Sequence, residues 1–169
     1  HTREKNYRYA CEVFSKVPVK PGKKKRVGIT GEIYMKYSKL GNDDIESFLL
    51  RQGMEPYSGG FVNYCLYLVD TERYKAEKYQ HNPIMAKACA FVLHRLCEAQ
   101  KHLLTVIGET DRFQTDLPFP ELKEKVQGIL AEGCNTGDGW LIAAEVIQYV
   151  EKGCGSVLIL HPFGCLVSH

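Results

Sequence analysis

Apolar positions along the chain recur at two spacings, and each spacing marks an element. From Glu4 to Val17, Tyr7, Cys11 and Phe14 fall at helical spacing, and Pro18-Val19-Lys20-Pro21-Gly22 ends that helix. The basic run Lys23-Lys24-Lys25-Arg26 reads as a solvated turn. Val27-Gly28-Ile29-Thr30-Gly31-Glu32-Ile33 is a short apolar run, the mark of a buried strand and the loop that follows it. A helix is expected from about Asp43 to Gln52. Asp43 and Glu46 have capping-box spacing, Ile45, Phe48 and Leu49 form its stripe, and Gly53 stops it. Met54 to Ser58 reads as a second strand. Strand, helix and strand with short connections make a βαβ unit, whose parallel strands need cover on both faces.

The second half of the chain is helical until its end. Phe61 to Tyr79 is expected to be a helix, and another runs from Pro83 to about Ile107. In the latter, Met85, Cys89, Val92, Leu96, Ala99, Leu103 and Val106 alternate at four and three residues, which predicts a buried seam. Helices over about Pro120 to Leu130 and Gly139 to Lys152 follow. The second of these has Trp140, Ala144, Ile147 and Val150 on one side, Asp138 or Thr136 as its cap, and Gly153 as its stop. Val157 to Leu160 is a buried strand that ends at His161-Pro162-Phe163-Gly164-Cys165. The pattern predicts an α/β fold with a Rossmann-like parallel sheet covered by several long helices. Residues 1–22 are a helical lead-in and linker, and residues 23–169 form a single α/β domain.

Length and composition narrow the class. The chain has 169 residues, 44% of them hydrophobic and 25% charged, the balance of a globular domain. With 22 basic against 20 acidic residues, the net charge is only +2, so no nucleic-acid partner is expected. No apolar run approaches the ~20 residues that span a bilayer, so no membrane partner is expected either. The chain opens on His1 and stops just after an apolar run, which reads as a fragment of a larger protein. Seven widely spaced cysteines without a Cys-x-x-Cys, and no secretion signal, suggest reduced thiols in a cytoplasm. Most of these cysteines read as packing residues.

Candidate chemistry is sparse. Neither a dinucleotide fingerprint nor a phosphate-binding Gly-Lys-Ser/Thr loop is present, so the chain carries no recognisable nucleotide site of its own. Gly31 and Glu32 lie where a first strand ends, the position at which open α/β sheets bind ligands. His94, Glu98 and His102 share one polar helix face near Cys97, and read as the wet side of that helix beside Lys101. Cys165 with His161 or His169 lacks an orienting group and an oxyanion hole. The Pro-Phe-Gly-Cys loop is the most informative segment. Gly164 lets backbone approach a bulky ligand, and a Cys165 thiolate there could ligate iron. Trp140 and Phe163 could shield such a site. Catalytic residues are not identifiable.

Three stretches together carry a family resemblance: Val27 to Asn42, Gly137-Asp138-Gly139-Trp140-Leu141-Ile142-Ala143-Ala144-Glu145, and His161 to His169. In this order and spacing the chain resembles the activator-related proteins of 2-hydroxyacyl-CoA dehydratases. In that family, ATPase modules are fused to a cluster-binding, dehydratase-like region. The resemblance implies an iron–sulfur cluster and ATP in the parent protein, with the ATP held by its other modules. It implies low-potential electron transfer to an acyl-CoA dehydratase or reductase component. Cys165 matches the family's Pro-Phe-Gly-Cys cysteine and is the metal-ligand candidate. Gly31, Glu32 and Gly164 are the cofactor-binding candidates. Val167 stands where relatives commonly have proline. Cys134 and Cys154 match no motif. The rival expectation is a non-redox domain that docks a partner or binds acyl-CoA, with Cys165 structural.

Overall fold

In a computed structural model of the chain, residues 2–19 and 22–168 are described. The order is α1 (Thr2–Ser15), β1 (Arg26–Gly31), α2 (Ile33–Tyr37), α3 (Ile45–Arg51), β2 (Glu55–Ser58), α4 (Phe61–Lys78), α5 (Pro83–Gly108), α6 (Phe119–Glu124), α7 (Gly139–Glu151) and β3 (Ser156–Leu160). A 3-10 turn at Leu166–Ser168 follows. The fold is α/β. The three strands form one parallel sheet in the order β2-β1-β3, with Val27 beside Pro56 and Ser156, and Ile29 beside Ser58 and Leu158.

Alternation along β1 sends its residues to two different partners. Val27 and Ile29 join Leu49 of α3 in a small apolar cluster, with Ile45, Met54, Leu158 and Leu160 packed around it. Gly28 and Thr30 point to the other face, where Tyr149 and Glu145 of α7 lie. The two faces are therefore covered by α3 and α7. The long helices α4 and α5 pack mainly on each other, so long helices are not the sheet's cover. A larger apolar core joins α4, α6 and α7 through Leu66, Tyr67, Phe119, Leu122, Trp140 and Ala144. Helix α1 buries no side chain fully and lies against α5, tied by Arg8 to Glu109.

Local details depart from expectation where tertiary contacts override local signals. The capping box at Asp43 and Glu46 does not form. Helix α3 starts at Ile45 after Asp43 and Asp44, both at positive φ, and Asn42 Oδ1 accepts from the Ile45 N–H at 3.3 Å. Residues read as loop after Glu32 form the short helix α2. Helix α6 ends at Glu124 instead of about Leu130. The expected seam of α5 faces inward only in part: Val106 is buried and Cys89 and Leu103 are half-buried, but Val92 is 45% and Leu96 41% exposed. The side facing the protein is Ala86, Cys89, Leu93, Cys97 and Gln100. Helix α5 carries two apolar stripes, and spacing alone does not say which one its neighbour α4 takes. Among the described residues, no helix is long and apolar enough to cross a membrane.

Candidate functional site at the carboxyl end of the sheet

Connections leave β1 in opposite directions, through α3 on one face and, by way of β2, through α7 on the other. The strand order thus reverses beside β1, and in open parallel sheets the ligand crevice opens there. Gly31 ends β1 at φ +134°, and a Cβ on it would lie 2.0 Å from the Leu160 carbonyl oxygen. Only glycine lets β1 and β3 stay paired to their last residues. The Glu32 N–H donates to that same oxygen at 2.9 Å, and the Glu32 carboxylate accepts from the Met35 N–H at 3.0 Å, capping α2.

Beneath the crevice lies a buried ion pair. Lys36 Nζ donates to both carboxylate oxygens of Glu145, at 2.8 and 2.9 Å, and the Thr30 hydroxyl donates to the same carboxylate. Tyr149 stands 3.5 Å from Lys36 Nζ and accepts from the Gly59 N–H at 2.8 Å. The Tyr37 hydroxyl donates to the Gly59 carbonyl at 2.6 Å. Burial, with the nearby Glu145 charge, pushes both phenols well above their usual value. Lys36, Glu145, Thr30 and Tyr149 were not singled out by sequence reasoning. The available signal was Glu145 itself, one carboxylate in an otherwise apolar stretch of helix, which demands a buried partner.

The rim of the crevice comes from Asp138, just before α7. Asp138 is buried and lines one narrow space with Ile33 at the start of α2. It does not cap its own helix. Burial, and then the charge of Glu32, raises its pKa above the usual carboxylate range. Gly31, Lys36, Tyr64, Asp138, Ile142 and Glu145 line the narrow space between. No protein-family model, curated protein or solved structure matches the chain.

The remaining candidates are placed less tightly. The loop after β3 is open: Gly164 adopts φ +78° with no atom near its missing Cβ, and Phe163 is fully exposed and shields nothing. Trp140 is packed in the core against Tyr67 and Phe119. Cys165 is half-buried, with its N–H donating to the Pro162 carbonyl. Cys154 lies before the amino end of β3, away from that loop, and burial raises its thiol pKa. Cys134 is exposed in the loop entering α7. His169 lies outside the described residues. His94, Glu98 and His102 are exposed on α5. Among the described residues, no three His, Cys, Asp or Glu side chains are placed to hold a metal ion. The described residues alone therefore do not fit an iron–sulfur cluster, which needs several converging thiolates.

Proposed function

We propose that this chain is the dehydratase-like portion of an ATP-dependent, iron–sulfur reductive activator related to 2-hydroxyacyl-CoA dehydratase activation. The observation that carries the reading is convergence. The three stretches that bear the resemblance are far apart in the sequence, yet all reach the carboxyl end of the sheet. The Glu32 N–H donates to the Leu160 carbonyl just before the third stretch, Ile33 and Asp138 line one narrow space, and a Cβ on Gly137 would lie 2.9 Å from Val167. Parallel pairing of β1 with β3, and an α7 that runs back to the start of β3, bring the three together at the end of the sheet where ligands bind.

On this reading the sheet is Rossmann-like and the protein works in the cytoplasm. The ATPase modules hold the nucleotide, and the recipient is an acyl-CoA dehydratase or similar reductase. A cluster, when bound, supplies the low-potential electron. Cys165 would supply one thiolate to such a cluster, with the further ligands from elsewhere in the parent protein. Gly31 and Gly164 shape the backbone around the crevice, and Glu32 holds α2 against it.

The test is anaerobic reconstitution with iron and sulfide, with and without the ATPase modules, followed by iron counting and a visible spectrum. Iron uptake that is lost in Cys165→Ser is the expected result. Absence of uptake with the modules present, or uptake indifferent to Cys165→Ser, overturns the proposal. A second reading is favoured by the exposure of Phe163 and Leu166 on either side of Cys165. Here the loop docks a partner or acyl-CoA without redox chemistry, and Cys165→Ser leaves binding unchanged.

A further inference from the structure

The narrow space between α2, α4 and the entry to α7 has the size of one water. The room open to the centre of a water-sized sphere is about 10 Å³. A thioester or a nucleotide cannot enter it, since organic ligands take pockets of ~300 Å³ and more. Leu141 and Ile142 make part of its wall apolar, and Lys36, Tyr64, Asp138 and Glu145 bring the polar groups.

The charges around this space do not cancel. The Lys36 ammonium holds both oxygens of Glu145, and these two groups neutralise each other. Asp138 is only 6% exposed, and among the described residues its carboxylate is in no ion pair. No neighbouring element supplies the missing charge. The loop after β1 brings Glu32, a second acid, whose carboxylate is engaged at the Met35 N–H. Helix α4 brings the Tyr64 phenol, which burial and then the charges of Asp138 and Glu32 raise above its usual pKa. The end of β3 brings His161 near, but not to ion-pair distance, and its Nδ1 is buried without a hydrogen-bond partner. Buried charges in proteins are paired or hold a metal ion, and Asp138 has no pair.

We propose that this space binds one water-sized monovalent cation, potassium or ammonium, against the Asp138 carboxylate. One positive charge brings the buried groups to neutrality. The Tyr64 phenol oxygen is a neutral donor, and potassium is readily held by neutral oxygens. A divalent ion does not suit the place, because it takes a larger set of charged ligands, and among the described residues no three His, Cys, Asp or Glu side chains are placed to hold one. The bound cation joins the entry of α7 to α2 and α4, and so sets the width of the crevice above. Neither the proposed electron-transfer role nor a cluster is needed for it. Without the cation, the ionised Asp138 is a cost, and Asp138→Asn is the more stable chain at neutral pH. The cation reduces that difference.

The test is urea unfolding of the same chain at neutral pH and fixed ionic strength, in potassium, ammonium or tetramethylammonium chloride. Tetramethylammonium is too large to enter. The midpoint should rise in potassium or ammonium, and the rise should follow the saturation of a single site. Comparison of these two salts tells which ion is held. The rise should vanish in Asp138→Asn, and at acidic pH, where Asp138 is protonated. Tyr64→Phe should keep the fold and weaken the apparent affinity. Anomalous scattering from crystals grown with thallium(I), a stand-in for either ion, should show a peak beside Asp138. Equal midpoints in all the salts overturn the proposal. So does a potassium or ammonium effect that survives in Asp138→Asn, and so does thallium found only at other places, since either would put the ion elsewhere.

Discussion

Asp138 stands between two helices. It lines one narrow space with Ile33 at the start of α2, and burial and Glu32 together disfavour its charge. Its folded-state pKa therefore lies above the unfolded value. Between those two values the folded chain binds more protons than the unfolded chain, so stability falls as pH rises through that window. Below the window the group costs nothing, and above it the full cost of holding a buried carboxylate is present. Asp138→Asn keeps the shape of the side chain and removes the charge. The variant should match the wild type at acidic pH, below the window, and exceed its stability at neutral pH, as urea midpoints at the two pH values would read. A variant equally stable or weaker at neutral pH would mean that the ionised carboxylate is needed for the turn.

Helices α4, α5 and α6 are joined by one polar clamp more than by the spacing of their apolar residues. Gln100, buried on α5, donates from Nε2 to Asn63 Oδ1 of α4 at 2.6 Å and accepts through Oε1 from the Phe119 N–H of α6 at 2.9 Å. The expected seam through Val92 and Leu96 treated apolar residues as the inward side. A buried glutamine breaks that rule, because a side chain with two satisfied partners costs little to bury. Gln100→Leu would strand both partners, at about 1–3 kcal/mol each, for a loss of roughly 2–6 kcal/mol. Val92→Lys, on the outward stripe, should change stability by no more than about 0.5 kcal/mol. Urea denaturation of the two variants distinguishes the arrangements, since a buried Val92 seam would reverse the ranking.

Across the whole molecule, what could be read from the sequence followed local period. The strands at Val27, Met54 and Val157 and the helices between them all appear, because a period of 3.6 or a short apolar run is written in neighbouring residues. The end of the sheet where Gly31, Glu32 and the loop to Cys165 gather was legible as well, since strand ends are fixed by strand order. The polar layer that holds α7 to the sheet was not legible, because Thr30, Lys36 and Glu145 are distant in sequence. That layer lies between the two apolar clusters, so the single contact of Lys36 with Glu145 bears on how the sheet and the helical core stay together. Removing one partner leaves an uncompensated charge in the interior, and Lys36→Met should cost about 3–5 kcal/mol. Adding Glu145→Gln removes the stranded charge, and the amide carbonyl of the new side chain can still accept from Thr30. The double variant should therefore recover most of the loss, and a double-mutant cycle in urea should show a strong favourable coupling. If the two losses simply added, the pair would not be acting as one unit, and the joint between sheet and helices would have to rest on the Tyr149 packing against Gly28 instead.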